Sequence, residues 1–382
     1  MKSAFKEINK RRRHPDYGLL LAVITCTVIS ILLIYSIHSN NIIGKVGESY
    51  YKTQLLTGAL GLVIALAVSQ LDYRKFVRLW MLYVPVSLLF VALTFTGLGV
   101  KVEGATDVAW LNLGFVQIQP SELLKTAFIM TFAFHLHKDE ENMNKPLHML
   151  LICIHGMFPI MIIALQKDFG TAMIFGFIIA SMMIGAKISW KYLLAAPFVI
   201  AGGLVFLWNF VLDNMHKQRI LILFNPGTDP ENLEYQQDLG IAALRKGGVF
   251  GMGLFSDKKY VSVPEMHNDF LFTHAGQVFG FVGAIGVLAI LAYLCLKVYS
   301  NAKNARDSLG KFMCLGVFGL FLGHCILNIG MVLKVMPVIG VPLPFLSAGG
   351  TAMLTMYIDI GIVLSTYTHN NKRYNMFYDE DN

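Results

Sequence analysis

The chain has 382 residues, of which 55% are apolar and only 14% are Asp, Glu, Lys or Arg, against about 25% charged residues in an average soluble domain. With a mean hydropathy of +0.58, this composition excludes a disordered chain, a disulfide scaffold and an ordinary cytosolic enzyme. The net charge of +7 would suit nucleic acid only if it formed one patch, and it is spread along the chain.

A helix crossing a bilayer needs about 20 mostly apolar residues. Ten such stretches follow one another: 17–37, 53–71, 78–99, 121–137, 146–165, 168–186, 190–209, 268–296, 312–333 and 345–367. The first is long, lacks a small-residue cleavage site and precedes nine more, so it is not a signal peptide. The fourth follows Pro120, a favourable first helical residue because its missing N–H would be unpaired there anyway. The fold class is therefore all-α: a polytopic membrane protein of about ten transmembrane helices. One domain, 17–367, lies between the tails 1–16 and 368–382.

With ten spans both tails share a side. Nineteen of the 31 lysines and arginines fall in the tails and loops of that side, and five fall in the short loops of the other. The positive-inside rule places both tails in the cytoplasm. The positive charge then reflects topology and membrane lipid, with no nucleic acid as partner. Cys26, Cys153, Cys295, Cys314 and Cys325 fall within spans without a CxxC pair and read as small apolar packers.

Between spans seven and eight lies a loop, 210–267, expected outside and too long for a simple helix connection. Tyr235 to Leu244 reads as a short amphipathic helix on the membrane surface. The run Gly247-Gly248-Val249-Phe250-Gly251-Met252-Gly253 lacks the GxxxxGK[ST] pattern and a preceding strand, which excludes a nucleotide cradle.

Charges at membrane depth are costly and mark function by default. Glu122 and Lys125, i,i+3 in the fourth span, share a helical face; they form either a packing pair or a lysine that meets a lipid diphosphate. If the eighth helix starts at Pro264, then Glu265, Asp269, Thr273 and Gln277 form a polar stripe descending from the outer surface. Asp269 is then either a first-turn carboxylate or a general base in a cavity open to the outside. Asp168 reads equally as a helix cap, and Asp359 has no evident partner. His135 and His137 diverge on their helix, so they do not share a metal.

These segments resemble the SEDS (shape, elongation, division and sporulation) glycosyltransferases of the RodA, FtsW and SpoVE type, over nearly the whole chain. Trp110, Gln119-Pro120-Ser121-Glu122 with Lys125, and Asp168-x-Gly170-Thr171-Ala172 match the family in order. So do Arg219-Ile220, Tyr235-Gln236, Pro264-Glu265 with Asp269-Phe270, and the closing Asn328, Gly330-Met331, Pro337, Gly340, Leu343-Pro344-Phe345-x-Ser347 and Gly349-Gly350. Short tails favour a RodA-like member.

The resemblance implies an inverting peptidoglycan polymerase that joins lipid II units on an undecaprenyl-diphosphate carrier, working with a class B penicillin-binding protein. It implies Asp269 as the catalytic base, with Lys125, Glu122, Arg219, Glu265, Gln236 and Ser347 around the substrate. Lys125 and Arg219 suit a diphosphate by charge, and a divalent cation (Mg or Mn) would assist the leaving group, although no ligand cluster is legible. Four positions depart from the family. Gly276-Gln277-Val278-Phe279-Gly280 lacks the usual carboxylates after the aspartate. Ala109 stands where a basic residue commonly precedes the tryptophan, and Ala348 replaces a tyrosine. Two alternatives stand beside the polymerase: a lipid II flippase, and a weakened scaffold for the transpeptidase.

Overall fold

The structure, a computed structural model, describes residues 14–42, 47–101, 107–114, 117–225, 227, 234–256 and 259–369. The remainder of both tails lies outside the described residues.

Helices form at all ten expected stretches. They are α1 (Tyr17–Ser39), α2 (Gly47–Gln70), a short α3 (Tyr73–Arg78) leading into α4 (Trp80–Leu93), α5 (Pro120–Lys138), α6 (Pro146–Leu165), α7 (Phe169–Gly185) and α8 (Trp190–Phe206, continued by a π turn over Leu207–Val211). After the loop helices α9 (Asn214–Phe224) and α10 (Tyr235–Gly247) come α11 (Leu271–Asn304), α12 (Ser308–Val332) and α13 (Gly350–Thr368). Six of these (α1, α2, α6, α8, α11 and α12) are long and apolar enough to cross a membrane, and α4 and α7 are shorter apolar helices. The other two of the ten, α5 and α13, bury Glu122, Lys125 and Asp359, which dilutes their apolar character.

Side chains set the helix starts. The carboxylates of Asp16, Asp168 and Asp307 accept the N–H groups of Leu19, Thr171 and Gly310 at 3.2, 2.9 and 2.8 Å, capping donors that the first turn leaves unpaired. Pro120 and Pro146 open α5 and α6. At the end of the molecule that carries both termini, Tyr73 and Arg74 donate to Asp307 at 2.7 and 2.6 Å, joining α3 to the start of α12.

α12 is the central helix, packed against α7, α11 and α5, while α13 lies along α2. Helices in lipid associate through close fit rather than water exclusion. Gly361 permits such an approach, since a Cβ there would sit 2.7 Å from Val68. By contrast, α8 has no buried residue.

Four features depart from expectation. A three-stranded antiparallel sheet, β1 (Gly99–Val100), β2 (Trp110–Asn112) and β3 (Gln117–Ile118), joins α4 to α5. Cys153 is exposed on α6 instead of packed inside. α10 rests on protein, burying Gln237, Gly240, Ala243 and Gly247 against α11, so its inner face does not lie on the membrane surface. Finally, the eighth spanning helix begins at Leu271 rather than Pro264.

That last correction has a local cause. Glu265 adopts φ 53°, and its carbonyl accepts the N–H groups of Asn268 and Phe270 at 3.0 and 3.3 Å, which closes turns instead of a helix. The expected stripe is therefore cut: Thr273 and Gln277 share a helical face and are fully buried, while Glu265 and Asp269 sit on the turns above.

α11 is itself broken at Gly280 (φ 69°, ψ −167°). The glycine run fills the break. The Gly248 and Val249 carbonyls accept from Phe281 and Val282 at 2.8 and 3.2 Å, and Met252 and Gly253 donate to the Gln277 and Val278 carbonyls at 3.0 and 2.9 Å. Within a membrane protein, backbone freed by such a break must find protein partners, and this loop supplies them.

Candidate active site

Asp269 lies on the turn segment 264–270, outside the spanning helix, at the end of α11 opposite the one that meets Asp16 through Lys297 and Asn301. It is half-buried. The connection between α12 and α13, residues 333–349, folds back beside it. Asn328, on α12 and fully buried, donates both amide hydrogens: one to the Asp269 carbonyl at 2.8 Å and one to the Val341 carbonyl at 2.7 Å. Gly340 then stands against the carboxylate, where a Cβ would lie 3.5 Å from Asp269 Oδ2. Gly340 itself takes φ 65°, a conformation open to glycine at little cost.

The electrostatics are unusual. Burial, followed by the nearby charges of Glu265, Asp107 and Asp168, pushes the Asp269 carboxyl up to about 7. Burial is again the first cause that raises Asp168. An acid near neutrality is suited to accepting a proton, because the best catalytic pKa lies near the working pH.

The other expected residues divide into two groups. Near Asp269, Glu265 is exposed, accepts from the Asn268 amide at 2.9 Å and lies 3.8 Å from His267, whose ring lies tilted against Tyr50 at 3.9 Å between centroids. Arg219, on α9, is half-buried and donates to the Val338 carbonyl at 3.1 Å; its Nε has no partner among the described residues. Gln236 is half-buried on α10, but its neighbour Gln237 is the residue that points inward, donating to the Met331 and Met336 carbonyls at 2.7 and 2.9 Å. Ser347 is buried, with its hydroxyl accepting the Leu343 N–H at 2.8 Å.

Glu122 and Lys125 belong to a closed buried network. They pair at 2.8 Å, and Lys125 Nζ also lies 3.1 Å from His324 Nε2. Thr355 donates to Glu122 at 3.3 Å. Asp359, without an evident partner in the sequence, accepts from Thr126 at 2.8 Å. His135 and His137 diverge as expected, toward His155 and Ser308 respectively. Among the described residues no three His, Cys, Asp or Glu side chains converge to hold a metal ion.

A bundle of membrane-length helices with a half-enclosed carboxylate at one face, braced by a folded-back segment, defines a polytopic membrane protein with a candidate site on the turns at one end. The family model for FtsW, RodA and SpoVE, described as cell cycle proteins, matches residues 17–372, and the chain belongs to that family. The peptidoglycan glycosyltransferase MrdB of Escherichia coli strain K12 is 29% identical over 364 residues, covering 93% of this chain and 94% of that protein. The probable peptidoglycan glycosyltransferase FtsW of Geobacter metallireducens is 30% identical, with 95% and 97% covered. Stage V sporulation protein E of Bacillus subtilis is 29% identical, with 93% and 97% covered. Solved structures share the fold. A chain of a peptidoglycan synthase complex that coordinates polymerization and crosslinking superposes with a TM-score of 0.78 at 24% identity, covering 94% of this chain and 99% of that one. RodA of Thermus thermophilus gives 0.68 at 21%, covering 94% and 98%.

Proposed function

We propose that the protein is a peptidoglycan glycosyltransferase that polymerises lipid II at the outer face of the bacterial cytoplasmic membrane. One observation carries the reading: a half-buried carboxylate, raised to about 7, on the membrane face opposite the termini. Relatives named as peptidoglycan glycosyltransferases over nearly their full length support it.

In the reaction, the Asp269 carboxylate takes the proton of the acceptor sugar's 4-hydroxyl. That oxygen forms a bond to the donor's anomeric carbon while the bond to the diphosphate breaks on the opposite side, with inversion. Undecaprenyl diphosphate leaves carrying the electron pair. Arg219 suits the diphosphate because its guanidinium can bond two phosphate oxygens at once and its Nε has no partner among the described residues. The Lys125 ammonium is already held by Glu122 and His324 and does not serve the diphosphate.

The charge asymmetry of the loops supports cytoplasmic termini. A partner class B penicillin-binding protein would supply the crosslinking activity; the superposed chain from a synthase complex supports that association. The test is purified protein, with its partner, given labelled lipid II. A ladder of glycan products is expected. Translocation of lipid II across sealed vesicles without polymer would contradict the proposal and favour a transporter.

A further inference from the structure

We infer that His324 is a positioning residue for Asp269, acting through residues 340–342, and that Lys125 serves it by fixing its tautomer. This rests on the polymerase reading and gives Lys125 a task that needs no contact with substrate.

His324 and Asn328 are one turn apart on α12, facing the same way, and are 1% and 0% exposed. Together they grip consecutive carbonyls of the folded-back segment: Asn328 holds Val341 at 2.7 Å and His324 Nδ1 holds Pro342 at 2.8 Å. A carbonyl only accepts, so Nδ1 carries the proton and Nε2 is the lone-pair nitrogen. Nε2 faces the Lys125 ammonium at 3.1 Å, which only donates. Protonating Nε2 would set two cations at that separation inside the bundle, so the ammonium locks the neutral tautomer that donates to Pro342. Glu122 balances the lysine charge at 2.8 Å and is itself held by Thr355.

The chain of contacts therefore runs from Glu122 and Lys125 through His324 to Pro342 and Gly340, and ends at the Asp269 carboxylate and the Asn328 bond to its carbonyl. Glu122, Lys125, His324 and Asn328 are each at most 3% exposed, whereas Pro342 and Asp269 are half-buried and Gly340 is exposed. Glutamine offers an NH2 donor group and a carbonyl acceptor in its amide and can serve both contacts at position 324. Leucine preserves bulk and removes both.

The experiment measures lipid II polymerisation in reconstituted protein for wild type, His324→Leu, His324→Gln and Lys125→Met. Misplacing a catalytic group by about 1 Å costs about 100-fold in rate, so His324→Leu and Lys125→Met should lose about that much in kcat with KM little changed. His324→Gln should recover to within about tenfold of wild type on the same scale. A second measurement needs no substrate: the rate at which a water-soluble carbodiimide modifies Asp269, read by peptide mass spectrometry. It should change in His324→Leu and return toward wild type in His324→Gln. If the leucine variant does not fold, His324→Met carries the comparison. Wild-type kcat in the apolar variants, equal impairment of the leucine and glutamine variants with unchanged Asp269 labelling, or a rise in KM at constant kcat would each overturn the inference. Wild-type protein that makes no glycan would instead overturn the polymerase reading, with the carbodiimide result still able to decide the positioning role.

Discussion

At the scale of single residues, Asp269 has an ordinary side chain in an extraordinary setting. A carboxyl near 4 in water rises to about 7 here because burial and three neighbouring acids disfavour its charged form. The sign of the pH effect follows. The base form is depleted as pH falls through about 7, so log kcat/KM should climb with a slope near one from acid and level off above neutrality. A rate–pH profile flat between about pH 5 and 8 would contradict this assignment. Asp269 was legible in the sequence because an acid beside a long apolar run must face protein or water. The i,i+3 spacing of Glu122 and Lys125 likewise announced their pairing. Other parts of the site were hidden for physical reasons. His324 lies 199 residues from Lys125, and no local pattern links them. Gln237, rather than Gln236, faces inward because the packing of α10 on α11 fixes its rotation, which a 13-residue helix does not declare alone.

At the scale of elements, the glycine run and the broken helix explain one another. Gly280 takes φ 69°, and a Cβ there would press on the Gly251 N–H and the Val249 carbonyl. Gly280→Ala should therefore lower stability by about 1–3 kcal/mol through backbone strain, more if the four inserted hydrogen bonds are also lost. A thermal unfolding midpoint equal to wild type would show that the break is not required. The structural task of these glycines was hidden in the sequence, since their partners are carbonyls and N–H groups of another element. Pro264 misled for a similar reason. It has the right chemistry to open a helix, but the Ala348 N–H claims the His267 carbonyl at 2.9 Å, and the turns prevail until Leu271.

For the whole molecule, ten apolar stretches and the placement of basic residues defined the architecture from the sequence, because lipid forces backbone to satisfy itself within helices. The small sheet before α5 escaped notice, as its strands span only two or three residues. The helix order sets the loops bearing Asp269 and Arg219 opposite both termini. A cysteine at position 269 should react with an impermeant thiol reagent added outside intact cells. Labelling only after the membrane is opened would reverse the topology.

The central claim, that Asp269 removes the acceptor proton, is tested most directly by the rate of glycan synthesis from labelled lipid II in Asp269→Asn. The amide keeps the shape but has no carboxylate to accept a proton. General-base assistance contributes typically about 100- to 10,000-fold, so a loss within that range is expected, with the variant folded and lipid II still bound. Glycan chains made at the wild-type rate by this variant would contradict the account.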